Sequence, residues 1–321
     1  MSLDDAGTAA PQLLLTILGP TACGKTALAV AVADKLDGEI ISADSRQVFR
    51  GMDIGTGKDL DEYNLDGHTI PCHLVDIRDA GEEYNLYQFQ NDFIAAYNLI
   101  LKHGHRPIMC GGTGMYVESI VRAYQLPDAP VDEKYREELN RFSDEELTER
   151  LASLVKLHNH TDTETRDRLL RALEIQEFRQ QNPDAFTRLP EMCHLVVGIS
   201  FPREKVVERI GIRLRQRLEN GMIEEVQRLL DAGVPKERLL KYGLEYRHVV
   251  RHLTENYPYE TMYENLYTDI RRFSKRQMTW FRRMERNGVN IHWIDGQKDM
   301  NSKTEEVLQL YLETENALSE H

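Results

Sequence analysis

The sequence predicts an α/β protein: a parallel sheet flanked by helices, interrupted by an inserted all-helical domain. Three observations predict it. Apolar runs of strand length alternate with helical stretches from Leu13 to about Gln125, the pattern of a parallel sheet covered on both faces. The first run leads straight into a glycine-rich turn at residues 19–26. Strand-like runs then stop from Val131 to about Pro190, and Leu195-Val196-Val197-Gly198-Ile199-Ser200 resumes them.

The first strand is Leu13–Leu18. It is followed by Gly19-Pro20-Thr21-Ala22-Cys23-Gly24-Lys25-Thr26, a complete G-x-x-x-x-G-K-T phosphate loop, and then by the helix-forming run from Ala27 to Ala33. Glycines let the backbone wrap around an anion with its N–H groups inward, and the helix N-terminus adds a favourable dipole. All eight residues of the loop are therefore candidate ligands of a di- or triphosphate, and diphosphate-binding residues if the ligand is a diphosphate. Lys25 is expected on the terminal phosphate oxygens and Thr26 on Mg²⁺. The strand–loop–helix setting makes the fold P-loop NTPase-like.

A second strand, 39–43, ends at Asp44. Carboxylates at the C-terminal ends of strands in open α/β sheets face the ligand crevice, so Asp44 is a candidate general base. The alternative for this residue is a helix N-cap or an outer-shell magnesium ligand. Further strands are expected at 73–77 and 107–110, with helices after residues 86 and 114. Leu86, Phe89, Phe93, Ala96, Tyr97 and Ile100 recur at helical spacing, a core-facing stripe. Gly111-Gly112-Thr113 forms a tight turn at the end of the fourth strand.

In the insertion, Ser143 and Glu146 stand at capping-box distance, and residues 165–178 form a helix carrying Arg166, Arg168 and Arg171. Beyond residue 200 the chain reads as helical: 205–220 stopping at Gly221, 222–232 stopping at Gly233, and 262–286 with Trp280 among basic residues as a partial stacking surface. The expected organisation is a disordered leader at 1–10, a core at 11–125 and 194–298, an insertion at 126–193, and a helical tail at 299–321.

No apolar run approaches the roughly 20 residues of a membrane span. Four cysteines without C-x-x-C spacing suggest reduced thiols in a cytoplasm and argue against a cysteine-rich zinc site. The formal net charge is −13, but Arg203–Arg286 holds 19 basic and 13 acidic residues, against 21 and 40 elsewhere. Arg271-Arg272, Lys275-Arg276, Arg282-Arg283 and Arg286 cluster there, either as a solvated face or as a footprint for nucleic-acid phosphates.

These pieces, taken in order, resemble the tRNA dimethylallyltransferases of bacterial type. The phosphate loop matches the family's Gly-Pro-Thr-Ala-x-Gly-Lys-Thr. Ile41-Ser42-Ala43-Asp44-Ser45 with Gly51-Met52-Asp53-Ile54-Gly55-Thr56, His73-Leu74-Val75-Asp76-Ile77, Gly111-Gly112-Thr113-Gly114-Met115-Tyr116 and Lys275-Arg276-Gln277-Met278-Thr279-Trp280 match its later segments. The resemblance implies transfer of a dimethylallyl group from dimethylallyl diphosphate to N6 of the adenosine 3′ of certain anticodons, with pyrophosphate leaving. It implies Asp44 as base and Thr21 and Arg213 as catalytic groups on the diphosphate, Arg213 competing with Arg209, Arg215 and Arg217 for that role. It also implies tRNA contacts from Asp44, Ser45, Arg46, Gln47, Thr113, Asp167, Arg168, Arg171, Lys275, Arg276 and Gln277, Mg²⁺ as cofactor, and a cytoplasmic monomer.

The chain departs from the family pattern twice. His160-Thr161-Asp162-Thr163 replaces His-Pro-Asn-Asp, and Glu245-Tyr246 replaces Gly-Tyr, both in stretches expected to grip RNA. Two other readings use the same core. A free-adenylate isopentenyltransferase would need no insertion, and a small-molecule kinase would consume ATP. A non-catalytic tRNA-binding relative would not need Lys25, Thr26 and Asp44.

Overall fold

The computed structural model describes residues 12–65, 67–127, 129, 132–155, 163, 165–182 and 185–320. The leader assigned to 1–10, and His160, Thr161 and Asp162 of the first departure, lie outside them. The chain divides into two compact units, Met1–Ala123 with Pro190–His321, and Tyr124–Leu189.

The first unit is built on a six-stranded parallel sheet in the order β5-β2-β6-β1-β7-β8. Its strands are β1 (Gln12–Leu18), β2 (Gly38–Ser42), β5 (Cys72–His73), β6 (Arg106–Gly111), β7 (Met192–Ser200) and β8 (Ile291–Asp295). A separate two-residue hairpin pairs β3 (Asn64–Leu65) with β4 (His68–Thr69). β1 is central, with Leu15 opposite both Ile108 and Leu195, and it is buried on both faces as its apolar run requires.

Helix α1 (Lys25–Leu36) follows β1, and α12 (Met300–Ser319) packs with it: Val307 and Tyr311 share a core with Leu28, Ala29 and Val32. On α2 (Leu86–His103) the predicted stripe is buried from Phe89 to Ile100, Leu86 being half-buried, and Asn85 and Gln88 complete a capping box at its start. α3 (Gly114–Val121) follows β6. A second core joins α7 (Arg203–Glu219), α8 (Met222–Asp231), α9 (Lys236–Leu239), α10 (Leu244–Thr254) and α11 (Tyr259–Arg286) around Val48, Phe49 and Met52.

Two expectations fail here. The strand at 73–77 ends at His73, because Leu74 and Asp76 adopt left-handed backbone angles (φ 63° and 55°). That turn sends the Asp76 carboxylate to Lys58 and pairs the N–H groups of Asp76, Ile77 and Arg78 with the carbonyls of Gln47 and Val48. The region after 200 is not all helical: Ile291–Asp295 adds the edge strand β8 beside β7. Gly288, at φ 92°, stops α11 and turns the chain into it.

The second unit contains α4 (Glu133–Leu139), α5 (Asp144–Leu154) and α6 (Arg166–Gln181), packed through Leu139, Leu147, Leu151, Leu169, Leu170 and Leu173. Ser143 and Glu146 form the predicted capping box. Glu174, 3% exposed, accepts from Arg136 Nε at 2.6 Å and Arg171 Nη1 at 3.1 Å, tying α4 to α6. The ends of the unit are held together where Thr187 N–H donates to Leu126 C=O at 2.8 Å.

Candidate active site

β1 delivers the chain to the phosphate loop at the C-terminal edge of the sheet. A Cβ on Gly19 would lie 2.7 Å from Cys23 Sγ, and Gly24 takes φ +80° as N-cap of α1. Gly24 offers no side-chain cap, so the first-turn N–H groups of α1 point at the loop, where an anion would satisfy them.

Two helices brace this loop. Gln277, on α11, accepts from the Thr21 N–H at 2.8 Å and donates to Gly112 C=O at 2.8 Å. Arg209, on α7, donates through Nε to Ala22 C=O at 2.6 Å. The next strand ends join it. Ala43 N–H donates to Cys110 C=O, and Thr113 N–H donates to Ala43 C=O at 3.2 Å. Gly111 approaches Ala43 so closely that a Cβ would sit 2.3 Å from its carbonyl oxygen. A Cβ on Gly114 would meet the Trp280 ring at 2.4 Å. The glycines of that turn are thus required by close approach.

Asp44 follows β2 and is half-buried; its Oδ1 accepts from Arg46 N–H at 3.0 Å. This is a local turn bond, not a helix cap, and it fixes the carboxylate at the C-terminal end of β2. Ser45 N–H donates to Thr113 Oγ1 at 3.1 Å, so the ends of β2 and β6 are stitched side chain to backbone. Burial pulls the Arg46 guanidinium below its ordinary pKa, with Asp44 and Tyr116 opposing the shift. Burial also pushes the Cys72 and Cys110 thiols up to about 12, which excludes both as thiolate nucleophiles at neutral pH.

The four competing arginines of α7 separate. Arg209 touches the loop. Arg213 and Arg217 line a small cavity with Thr21, Ala22 and Glu245, and Arg213 pairs with Asp59. Arg217, its pKa pushed down to about 10 by burial and by Arg213, faces Glu245 at 3.5 Å. Arg215 is exposed and bonds its own helix at Gly211 C=O.

The chain is similar to known proteins over most of its length. Residues 47–284 match the family model described as IPP transferase, and residues 12–69 match Isopentenyl transferase. A tRNA dimethylallyltransferase 2 of Porphyromonas gingivalis is 52% identical over 298 residues, covering 93% of this chain and 99% of that protein. A second, from Bacteroides fragilis, is 47% identical over 92% of this chain and 97% of its own length. The chain belongs to the IPP transferase family. Among solved structures, the tRNA isopentenylpyrophosphate transferase of Bacillus halodurans superposes with a TM-score of 0.71 at 33% identity, covering 97% of this chain and all of that one. A eukaryotic dimethylallyltransferase shares the fold at 21% identity and a TM-score of 0.70.

Two residues assigned above to tRNA contact, Gln277 and Gln47, are buried in this structure. Gln277 is 7% exposed, and both polar atoms of its side chain are spent on Thr21 and Gly112. Gln47 is buried, accepting from Ser42 Oγ at 2.9 Å and donating to Gly57 C=O at 3.0 Å. Arg171, partly exposed, is anchored by Glu174 and by Ala129 C=O. Lys275, Arg276, Asp167 and Arg168 are exposed. The face of Trp280 is covered by the Arg283 guanidinium 4.0 Å above it, which leaves the exposed Phe273 beside Arg276 as the better stacking surface. Glu245, assigned to an RNA-gripping stretch, instead lines the cavity with Thr21 and Arg213.

Sequence reasoning missed Glu225. It is buried, accepts from the N–H groups of Asp53, Ile54 and Gly55 at 2.8, 2.7 and 3.0 Å, and receives the Tyr246 hydroxyl at 2.6 Å. It also missed Lys58, fully buried with Asp53, Asp76 and Phe49 C=O. Nothing in the sequence marks either charge as buried, and only the fold reveals its partners.

Proposed function

We propose that this protein transfers a dimethylallyl group from dimethylallyl diphosphate to N6 of the adenosine 3′ of the anticodon in certain tRNAs, releasing pyrophosphate. The N6 amine attacks C1 of the allyl group, the C1–O bond breaks, and the N6 proton passes to the Asp44 carboxylate. The observation that carries this reading is the junction at the sheet edge. The half-buried Asp44 and Thr113 are joined through Ser45 beside a phosphate loop whose first-turn N–H groups await an anion. An amine is a weak nucleophile that must lose its proton as the bond forms, so a positioned carboxylate is the base it needs.

Charge grows on the departing diphosphate, and donors already fixed around it lower the barrier. Lys25, the helix N–H groups and the Thr21 hydroxyl would supply them, since the Thr21 N–H is committed to Gln277. Arg213 shares the cavity with Thr21 and would add a guanidinium on release from Asp59. The Thr26 hydroxyl has no hydrogen-bond partner among the described residues. One hydroxyl plus substrate phosphate oxygens is the donor set that suits Mg²⁺. When bound, the ion would neutralise charge on the leaving group.

The tRNA would lie against Ser45, Arg46 and Thr113 at the site, against Lys275 and Arg276 on α11, and against Asp167 and Arg168 on α6. The target base must leave its stack to reach Asp44. No described helix is long and apolar enough to cross a membrane, and the protein acts as a cytoplasmic monomer in this reading.

The test is mass analysis of nucleosides from tRNA incubated with the protein, Mg²⁺ and dimethylallyl diphosphate. A gain of one dimethylallyl group on adenosine with pyrophosphate released, and none on free AMP, is the expected result. Modification of AMP instead of tRNA, or ATP-dependent phosphorylation, would overturn it.

A further inference from the structure

At the opposite end of β2 from Asp44, three histidines converge on one buried carboxylate. Glu39, whose side chain is 3% exposed, is the second residue of that strand. Its Oε1 lies 2.8 Å from His103 Nδ1 and 2.6 Å from His105 Nδ1, and its Oε2 lies 2.5 Å from His73 Nε2. No lysine or arginine pairs with Glu39 among the described residues. A carboxylate so buried calls for a compensating cation.

The backbone brings the two donors together. α2 ends at His103, and Gly104 follows in the left-handed region at φ 81°. His103 and His105 flank that turn, with their rings 5.9 Å apart and inclined at 69°. Stacking is thereby avoided, and both Nδ1 atoms face the same carboxylate oxygen. One ligand atom each from Glu39, His103 and His105 lies within 4.8 Å of the others.

We propose that Glu39, His103 and His105 form a binding site for a divalent transition metal, with Zn²⁺ the ion that best suits two imidazoles and one carboxylate. Water completes the coordination. The neighbours fit such a site. With Nδ1 turned to the metal, the His105 Nε2–H faces Asp37, whose Oδ1 is 3.9 Å away, and His73 holds the second carboxylate oxygen. Partners of this kind fix tautomer and orientation at metal sites. Ligand atoms around tetrahedral zinc stand roughly 3.3 Å apart, given bonds of about 2.0 Å, so the donors need open only slightly. His103, half exposed, has room to turn. The ion would pin the end of α2 and the start of β6 to β2, a structural role remote from the phosphate loop.

The test uses the full chain, stripped with a chelator and titrated with Zn²⁺ against a chromophoric zinc indicator. Thermal unfolding is followed with and without the metal. The expected result is one equivalent bound, a raised Tm, and a loss of at least tenfold in affinity in His103→Ala and in His105→Ala, with the Tm increment gone. Prenyl transfer by the two variants should match wild type at the same temperature. Co²⁺ in place of Zn²⁺ should give weak d–d bands without a thiolate charge-transfer band. No binding at micromolar Zn²⁺, equal affinity in wild type and both variants, or a thiolate band would each overturn the proposal. Circular dichroism of His103→Ala, altered at a half-exposed position, separates lost binding from lost folding.

Discussion

Gln277 and Thr21, 256 residues apart in sequence, are joined by a 2.8 Å hydrogen bond from the Thr21 N–H to Gln277 Oε1. The same side chain donates to Gly112, so one amide sets the distance between the phosphate loop and the turn that carries Thr113.

Gln277→Ala should therefore act on the donor side. Two polar backbone groups lose their partners, each costing about 1–3 kcal/mol where water cannot replace it. Tm should fall and the KM for dimethylallyl diphosphate should rise, while tRNA affinity in filter binding stays within a factor of two or so of wild type. A selective loss of tRNA affinity would return Gln277 to the RNA-contacting set.

Asp44→Asn retains the shape and the turn bond to Arg46 but removes the proton acceptor. Single-turnover prenyl transfer should slow by at least about 10²-fold, the usual scale for a positioned base, with tRNA binding little changed. A rate within a few-fold of wild type would sink the assignment of the base.

Lys25→Ala removes a charge partner of the diphosphate. The KM for dimethylallyl diphosphate should rise and transfer should slow. ATP should be neither consumed nor required in either protein; ADP formed in step with product would instead support phosphoryl transfer.

The insertion calls for two contrasting variants. Arg171→Ala leaves Glu174 buried with half its pairing gone. Breaking one side of a buried ion pair costs about 3–5 kcal/mol, discounted here because Arg136 remains, so proteolysis within 124–189 should accelerate. Arg168→Glu, at an exposed position, should leave proteolysis unchanged, weaken tRNA binding, and lower the slope of log affinity against log salt by about one. Identical salt series for wild type and Arg168→Glu would remove α6 from the RNA-binding surface.

What could be read in the sequence followed local rules. The phosphate loop, the strands beside it, the capping box at Ser143 and the stripe on α2 all rest on contacts within a few residues, where spacing is informative. The late Lys-Arg-Gln-x-Thr-Trp segment is different. Its residues divide by helical face: Gln277 turns inward to the loop and Trp280 against Gly114, while Lys275, Arg276 and Thr279 face water. Nothing in the string says which of its polar residues is the buried one. The same limit hid Glu225 and Lys58, whose partners are carbonyls, amides and carboxylates brought in by the fold. β8 was missed because five residues after a long helix carry too little alternation to outweigh the helical run on either side.

The sheet's central strand is made first, and two of its companions are made last. β1 pairs with β7 along Gln12–Leu18, but β7 begins at Met192, after the whole insertion, and β8 closes the edge only at Asp295. During synthesis, at about 5–20 residues per second, one side of β1 stays without its hydrogen-bonding neighbour while some 170 residues emerge, as counted from the strand bounds. An open apolar strand of this kind is a template for joining another nascent chain. The nascent protein thus carries an exposure to co-translational aggregation at a strand that ends buried on both faces, and chaperone demand on the ribosome should fall sharply once β7 has cleared the exit tunnel.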